Sequence, residues 1–70
     1  MNVEVIAMKI IELRKRTGLS QSKFANRFHL NVRTVQQWER EARKAPDYVV
    51  WLIERVMDLE EQLDAQGNEI

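Results

Sequence analysis

Ser20-Gln21-Ser22-Lys23-Phe24-Ala25-Asn26-Arg27-Phe28-His29-Leu30-Asn31-Val32-Arg33-Thr34-Val35-Gln36-Gln37-Trp38-Glu39-Arg40 is the stretch whose periodicity decides the fold. Phe24, Ala25 and Phe28 share one face of a helix that Ser20 can cap, while Ser22, Lys23, Asn26 and Arg27 take the other. His29-Leu30-Asn31 leaves room only for a tight turn. Histidine tolerates positive φ comparatively well, so His29 can close the first helix. Asn31 then caps a second helix whose Val35 and Trp38, three residues apart, face inward. The opposite face carries Arg33, Gln36, Gln37 and Arg40, long side chains rich in hydrogen-bonding groups. The expected bounds are about 20–28 and 32–40.

Outward from this pair, further helices are expected on both sides. Ile6, Ile10 and Leu13 recur with the stripe of an amphipathic helix from Val3 to Arg16, capped by Asn2 and ended by Gly18 in the left-handed position. After the basic loop Arg43-Lys44-Ala45, Pro46 reads as the first residue of another helix, where its missing N–H costs nothing. This helix is apolar on nearly every side from Tyr48 to Ile53, which implies contacts beyond its own small domain. Val49, Leu52, Val56, Leu59 and Leu63 step three and four residues at a time, the spacing of a heptad seam. The segment either continues as one helix or breaks near Asp58. Four or five helices in one compact all-α domain are therefore expected. The expected divisions are a helix-turn-helix region over residues 1–45, a C-terminal helix or helices over 46–66 in the same compact domain, and a frayed tail at 67–70.

Seventy residues make a marginal core, and chains this small recover stability from disulfides, metals or oligomerisation. With no cysteine and the single histidine His29, oligomerisation is the route left. The absence of cysteine agrees with a reducing compartment, and no apolar run is long enough to span a membrane. Met1 to Ile6 lacks the pattern of a signal peptide, so a cytoplasmic protein is expected.

The net charge of zero hides a segregation. Ten basic and four acidic residues lie between Met1 and Ala45, a net of +6. From Pro46 onward Arg55 stands alone against Asp47, Glu54, Asp58, Glu60, Glu61, Asp64 and Glu69, a net of −6. A polyanion-facing part and a part that faces away would account for this, as would two solvated surfaces of opposite sign.

Two short helices joined by a three-residue turn, the second with a polar outer face, have the geometry that enters a DNA major groove. Arginine suits guanine O6 and N7, and glutamine suits adenine N6 and N7. The combination of Ile10, Leu13-Arg14, Thr17-Gly18-Leu19-Ser20-Gln21, Phe24-Ala25, Val32-Arg33-Thr34-Val35 and Trp38-Glu39-Arg40 resembles the lambda-repressor-like, or XRE-type, helix-turn-helix family. That resemblance implies base reading by Asn31, Val32, Arg33 and Gln37, with Gln36 similarly placed but closer to the sugar-phosphate rim. It implies phosphate contacts from Gln21, Arg40, Arg43 and Lys44, which position the protein without reading sequence. It also implies a partly buried structural ion pair between Arg14 and Glu39. Val32 either packs beneath the helix start or touches a thymine methyl group. Two positions depart from the family pattern: His29 and Glu41 stand where glycine is common, and a carboxylate at Glu41 would face phosphates unless it turns away.

The expected partner is double-stranded DNA bearing an inverted repeat, bound by a homodimeric repressor or autorepressor. The expected dimer interface is Val49, Trp51, Leu52, Val56, Leu59 and Leu63. The alternative is an antitoxin-like or operon-associated regulator whose apolar C-terminal helix binds a different protein, and the two differ in what covers Trp51, Ile53 and Met57. No catalytic residues, cofactor or metal are expected, because the chain has no cysteine, no glycine-rich phosphate loop and no ligand cluster. The C-terminal acids read as a solvated helix face.

Overall fold

The computed structural model describes residues 2–67, with side chains to residue 64. Four helices follow in order, α1 (Val3–Thr17), α2 (Gln21–Arg27), α3 (Val32–Glu39) and α4 (Asp47–Gly67), and no strand occurs among the described residues. The ambiguity over residues 46–66 resolves into one helix. Nothing between Asp47 and Gly67 interrupts it, since no Pro or Gly stands before the last position. The expected tail begins inside α4 at Gly67, and residues 68–70 lie outside the described residues.

Local side-chain chemistry sets most of the helix ends. The side chains of Asn2, Ser20 and Asn31 accept hydrogen bonds from Val5, Lys23 and Arg33 N–H groups at 2.8, 3.2 and 2.8 Å, satisfying donors that a helix start leaves open. Gly18, at φ 75°, ends α1 with its N–H shared between the Arg14 and Lys15 carbonyls. His29 ends α2 at φ 58°, with its own N–H on Asn26 O and the Leu30 N–H on Ala25 O at 2.8 Å. That is the paired closure of a helix terminated by a left-handed residue. α3 ends the same way: Glu41 is at φ 63°, its N–H meets Trp38 O, and Ala42 N–H meets Gln37 O at 2.9 Å. Pro46 corrects one expectation. It stands before α4 rather than in its first turn, and its carbonyl accepts from Val49 and Val50 as a capping residue does.

α1 is the hub, packing on α2, α3 and α4, while α2 also packs on α3. The core joins Ile6, Ile10 and Leu13 of α1, Phe24 and Ala25 of α2, Val35 and Trp38 of α3, Ala45 of the loop, and Val50, Ile53 and Met57 of α4. Phe28 is half-buried, and its ring lies 5.0 Å from that of Phe24. Ala45 is wholly buried although it sits in a loop, because the chain must pass close beneath the core to bring α4 onto α1.

α4 has two apolar faces, and the chain's own core covers one of them. Val50, Ile53 and Met57 are covered by the chain's own core, whereas Tyr48, Trp51, Leu52, Val56, Leu59 and Leu63 are exposed. Val49 is half-buried against the core, so the seam is open from Leu52 onward. The charge picture also changes. Arg16 donates to Asp58 at 2.6 Å and to Glu61 at 2.9 Å, and Arg27 meets Glu60. Three acids read as a solvated face therefore tie α4 to the ends of α1 and α2. These pairs were invisible in the sequence because their members lie 33 to 45 residues apart.

Candidate nucleic-acid interface

The outward face of α3 follows from what its inward face must bury. Val35 and Trp38 are anchored in the core, so Arg33 and Arg40 emerge exposed while Gln36 and Gln37 lie half-buried along the same helix. Beneath it, Arg14 donates through Nε to Glu39 Oε2 at 2.7 Å and through Nη2 to Oε1 at 3.0 Å. Gln21 Nε2 adds a third bond to Glu39 Oε1 at 3.1 Å. This cluster fixes α3 against α1 and α2 from one carboxylate. The Glu39 hydrogen bond raises the Arg14 pKa and outweighs the opposing effect of burial.

The hydrogen bond to Glu39 constrains the part that Gln21 can play. One amide hydrogen is committed to Glu39, so a phosphate contact has the second hydrogen available. Asn31 is constrained similarly, because its Oδ1 accepts from Arg33 N–H as the α3 cap and its amide nitrogen is what remains for a base edge.

Val32 packs partly against the core and also forms one wall of an open recess of about 310 Å³ between α2 and α3. The recess has an apolar floor of Ala25, Leu30 and Val32 and a polar rim of Ser22, Lys23 and Asn26. These three rim residues were not among the expected contacts. Their spacing in α2 marks only a solvent-facing side, and the turn through His29 brings that side next to the start of α3.

Past α3, Arg40, Arg43 and Lys44 are all exposed. The loop that carries them closes on one acceptor: Gln37 O receives Ala42 N–H at 2.9 Å and Arg43 N–H at 3.2 Å. Glu41 satisfies the left-handed position that a glycine would fill without strain. With Arg14, Arg16 and Arg27 held in internal ion pairs, the exposed cations near α3 are Lys23, Arg33, Arg40, Arg43 and Lys44. The expected interface residues on α4 lie on a separate element, and α3 and α4 do not pack together.

No group of His, Asp or Glu among the described residues is arranged to hold a metal ion, and no helix there is long and apolar enough to cross a membrane. Neither a curated protein nor a solved structure matches the chain. A family model described as helix-turn-helix matches residues 10–63, most of α1 through the seam of α4. The chain therefore belongs to the lambda-repressor-like helix-turn-helix family of DNA-binding transcriptional regulators.

Proposed function

We propose that the protein is a homodimeric repressor that reads an inverted repeat with α3 and holds its two copies together through α4. The observation that carries this reading is the anchored α3. Its buried Val35 and Trp38, and the Arg14–Glu39–Gln21 cluster, leave Arg33, Gln36 and Gln37 on the outer side. A rigidly held helix bearing arginine and glutamine suits base-edge recognition in the major groove, where each makes bidentate bonds to a purine. Arg33, Gln37, Val32 and the amide of Asn31 act as base readers, with Gln36 at the rim. Gln21, Arg40, Arg43 and Lys44 contact phosphates, joined by Lys23.

Six exposed large apolar residues on one side of α4 favour a protein contact there, since soluble monomers rarely display so continuous a patch. A second copy is the occupant we assign. A different protein, as for an antitoxin, is the competing occupant. Ile53 and Met57 do not discriminate between the two because the chain itself covers them. Selection from a randomised DNA pool, combined with the solution mass from sedimentation, tests the reading. A dimer that enriches an inverted repeat with half-sites ~34 Å apart is the expected result. A monomer that enriches nothing would overturn it and direct attention to a foreign partner for α4.

A further inference from the structure

We infer that two copies pair through α4 side by side in parallel, with Arg55 of each copy meeting Glu60 of the other. This rests on the homodimer reading above and adds orientation, register and a partner for each charge.

The seam itself carries the orientation. Val49, Val56 and Leu63 recur every seven residues, with Leu52 and Leu59 between them. Labelling the first set a and the second d places β-branched valine at two a positions and leucine at both d positions, the combination that favours parallel two-stranded packing. Four of these five side chains are exposed, and Val49 joins the seam to the core. The seam can thus accept a second helix without unpacking anything. Tyr48 and Trp51, also exposed, extend the apolar surface at its start.

The flanking charges agree with the same register. Position g before the second heptad is Arg55, the single cation of α4, and position e after it is Glu60. In a parallel pair, g of one helix faces the following e of its partner, five residues on, so Arg55 and Glu60 meet twice across the dyad. Arg55 is exposed. Glu60 engages Arg27 of its own chain through Oε2, and its Oε1 has no hydrogen-bond partner among the described residues. A recess of about 350 Å³ lies against Arg27, Glu60 and Asp64 and reaches the seam at Leu63.

Because the chain has no cysteine, one introduced thiol reports the arrangement without ambiguity. Leu63 is exposed, so Leu63→Cys leaves the core untouched. In a parallel pair the two residues at position a lie side by side, within disulfide reach, whereas in an antiparallel pair they sit at opposite ends. Mild oxidation is expected to convert the variant to a covalent dimer of unchanged helicity. The Arg55→Glu variant is expected to raise the dimer dissociation constant about tenfold, and Arg55→Ala to raise it less, because only the former sets like charges against Glu60. A sedimentation mass equal to one chain would overturn the homodimer reading and this inference together. A dimer in which Leu63→Cys forms no disulfide would overturn the parallel arrangement alone. Equal effects of Arg55→Glu and Arg55→Ala would remove the Arg55–Glu60 contact.

Discussion

Arg14 and Glu39, 25 residues apart, form a two-pronged ion pair in which the Glu39 side chain retains 6% of its exposure, with Gln21 as a third donor. Together with the buried Val35 and Trp38, this cluster holds α3 against α1 and α2. Removing either partner strands a partly buried charge. Glu39→Ala is expected to cost about 1.5–3 kcal/mol in urea unfolding. The double variant Arg14→Met/Glu39→Leu is expected to cost less than the two single changes added together. Strict additivity would show that the pair contributes nothing as a unit.

Arg33 emerges from the first turn of α3 with its side chain exposed, while its backbone N–H donates to the Asn31 cap. Arg33→Ala is expected to weaken operator binding by about 1–3 kcal/mol and to flatten the base preference at one position of each half-site. Equal loss on operator and random duplexes would reassign Arg33 to phosphate.

Lys44 lies in the exposed loop beyond α3, and its proposed role is to neutralise phosphate without reading sequence. Lys44→Ala is expected to weaken all duplexes alike. It should also lower the slope of log affinity against log salt by about one for each protomer bound. An unchanged slope would place Lys44 outside the contact.

Glu41 and Gly18 occupy the same left-handed backbone region, at φ 63° and 75°. A Cβ at Gly18 would meet nothing within 4 Å, so the cost of Gly18→Ala is purely conformational, about 1 kcal/mol. Glu41→Gly is expected to stabilise the fold by about 0.5–1 kcal/mol through relief of the same strain. It also removes a carboxylate beside Arg40, so duplex affinity is expected to rise. Thermal midpoints moving in the reverse directions would contradict the assignment.

Glu61 has its carboxyl pKa lowered from the ordinary value of 4.5, first by its hydrogen bond from Arg16. A folded pKa below the unfolded one means that the contribution is complete above about 4.5 and is lost as pH falls through the lower, folded value. Because Glu61 is exposed, the effect is modest and screened by salt. Glu61→Gln is expected to lower stability slightly at pH 7 and to match the parent near pH 3. A gap between the two that persists at pH 3 would rule out the ionic origin.

The sequence by itself determined the first three helices, their caps and the inward residues of the two-helix unit. These depend on spacings of three and four residues and on side chains that bond the adjacent backbone, as at Ser20, Asn31 and Gly18. It marked Arg33, Gln36 and Gln37 as outward for the same reason, while the Arg14–Glu39 pair was legible through family resemblance alone. What only the tertiary structure decided depends on partners distant in the chain. Glu60, Glu61 and Asp58 read as solvated acids until the packing of α4 on α1 brought Arg16 and Arg27 to them. Ser22, Lys23 and Asn26 were one side of a short helix until the turn at His29 set them beside Val32. The seam from Leu52 to Leu63 was legible as heptad spacing, but that Val50, Ile53 and Met57 form the face turned to the core was hidden. On a helix apolar nearly all round, periodicity cannot say which side the core takes, and the packing on α1 makes that choice.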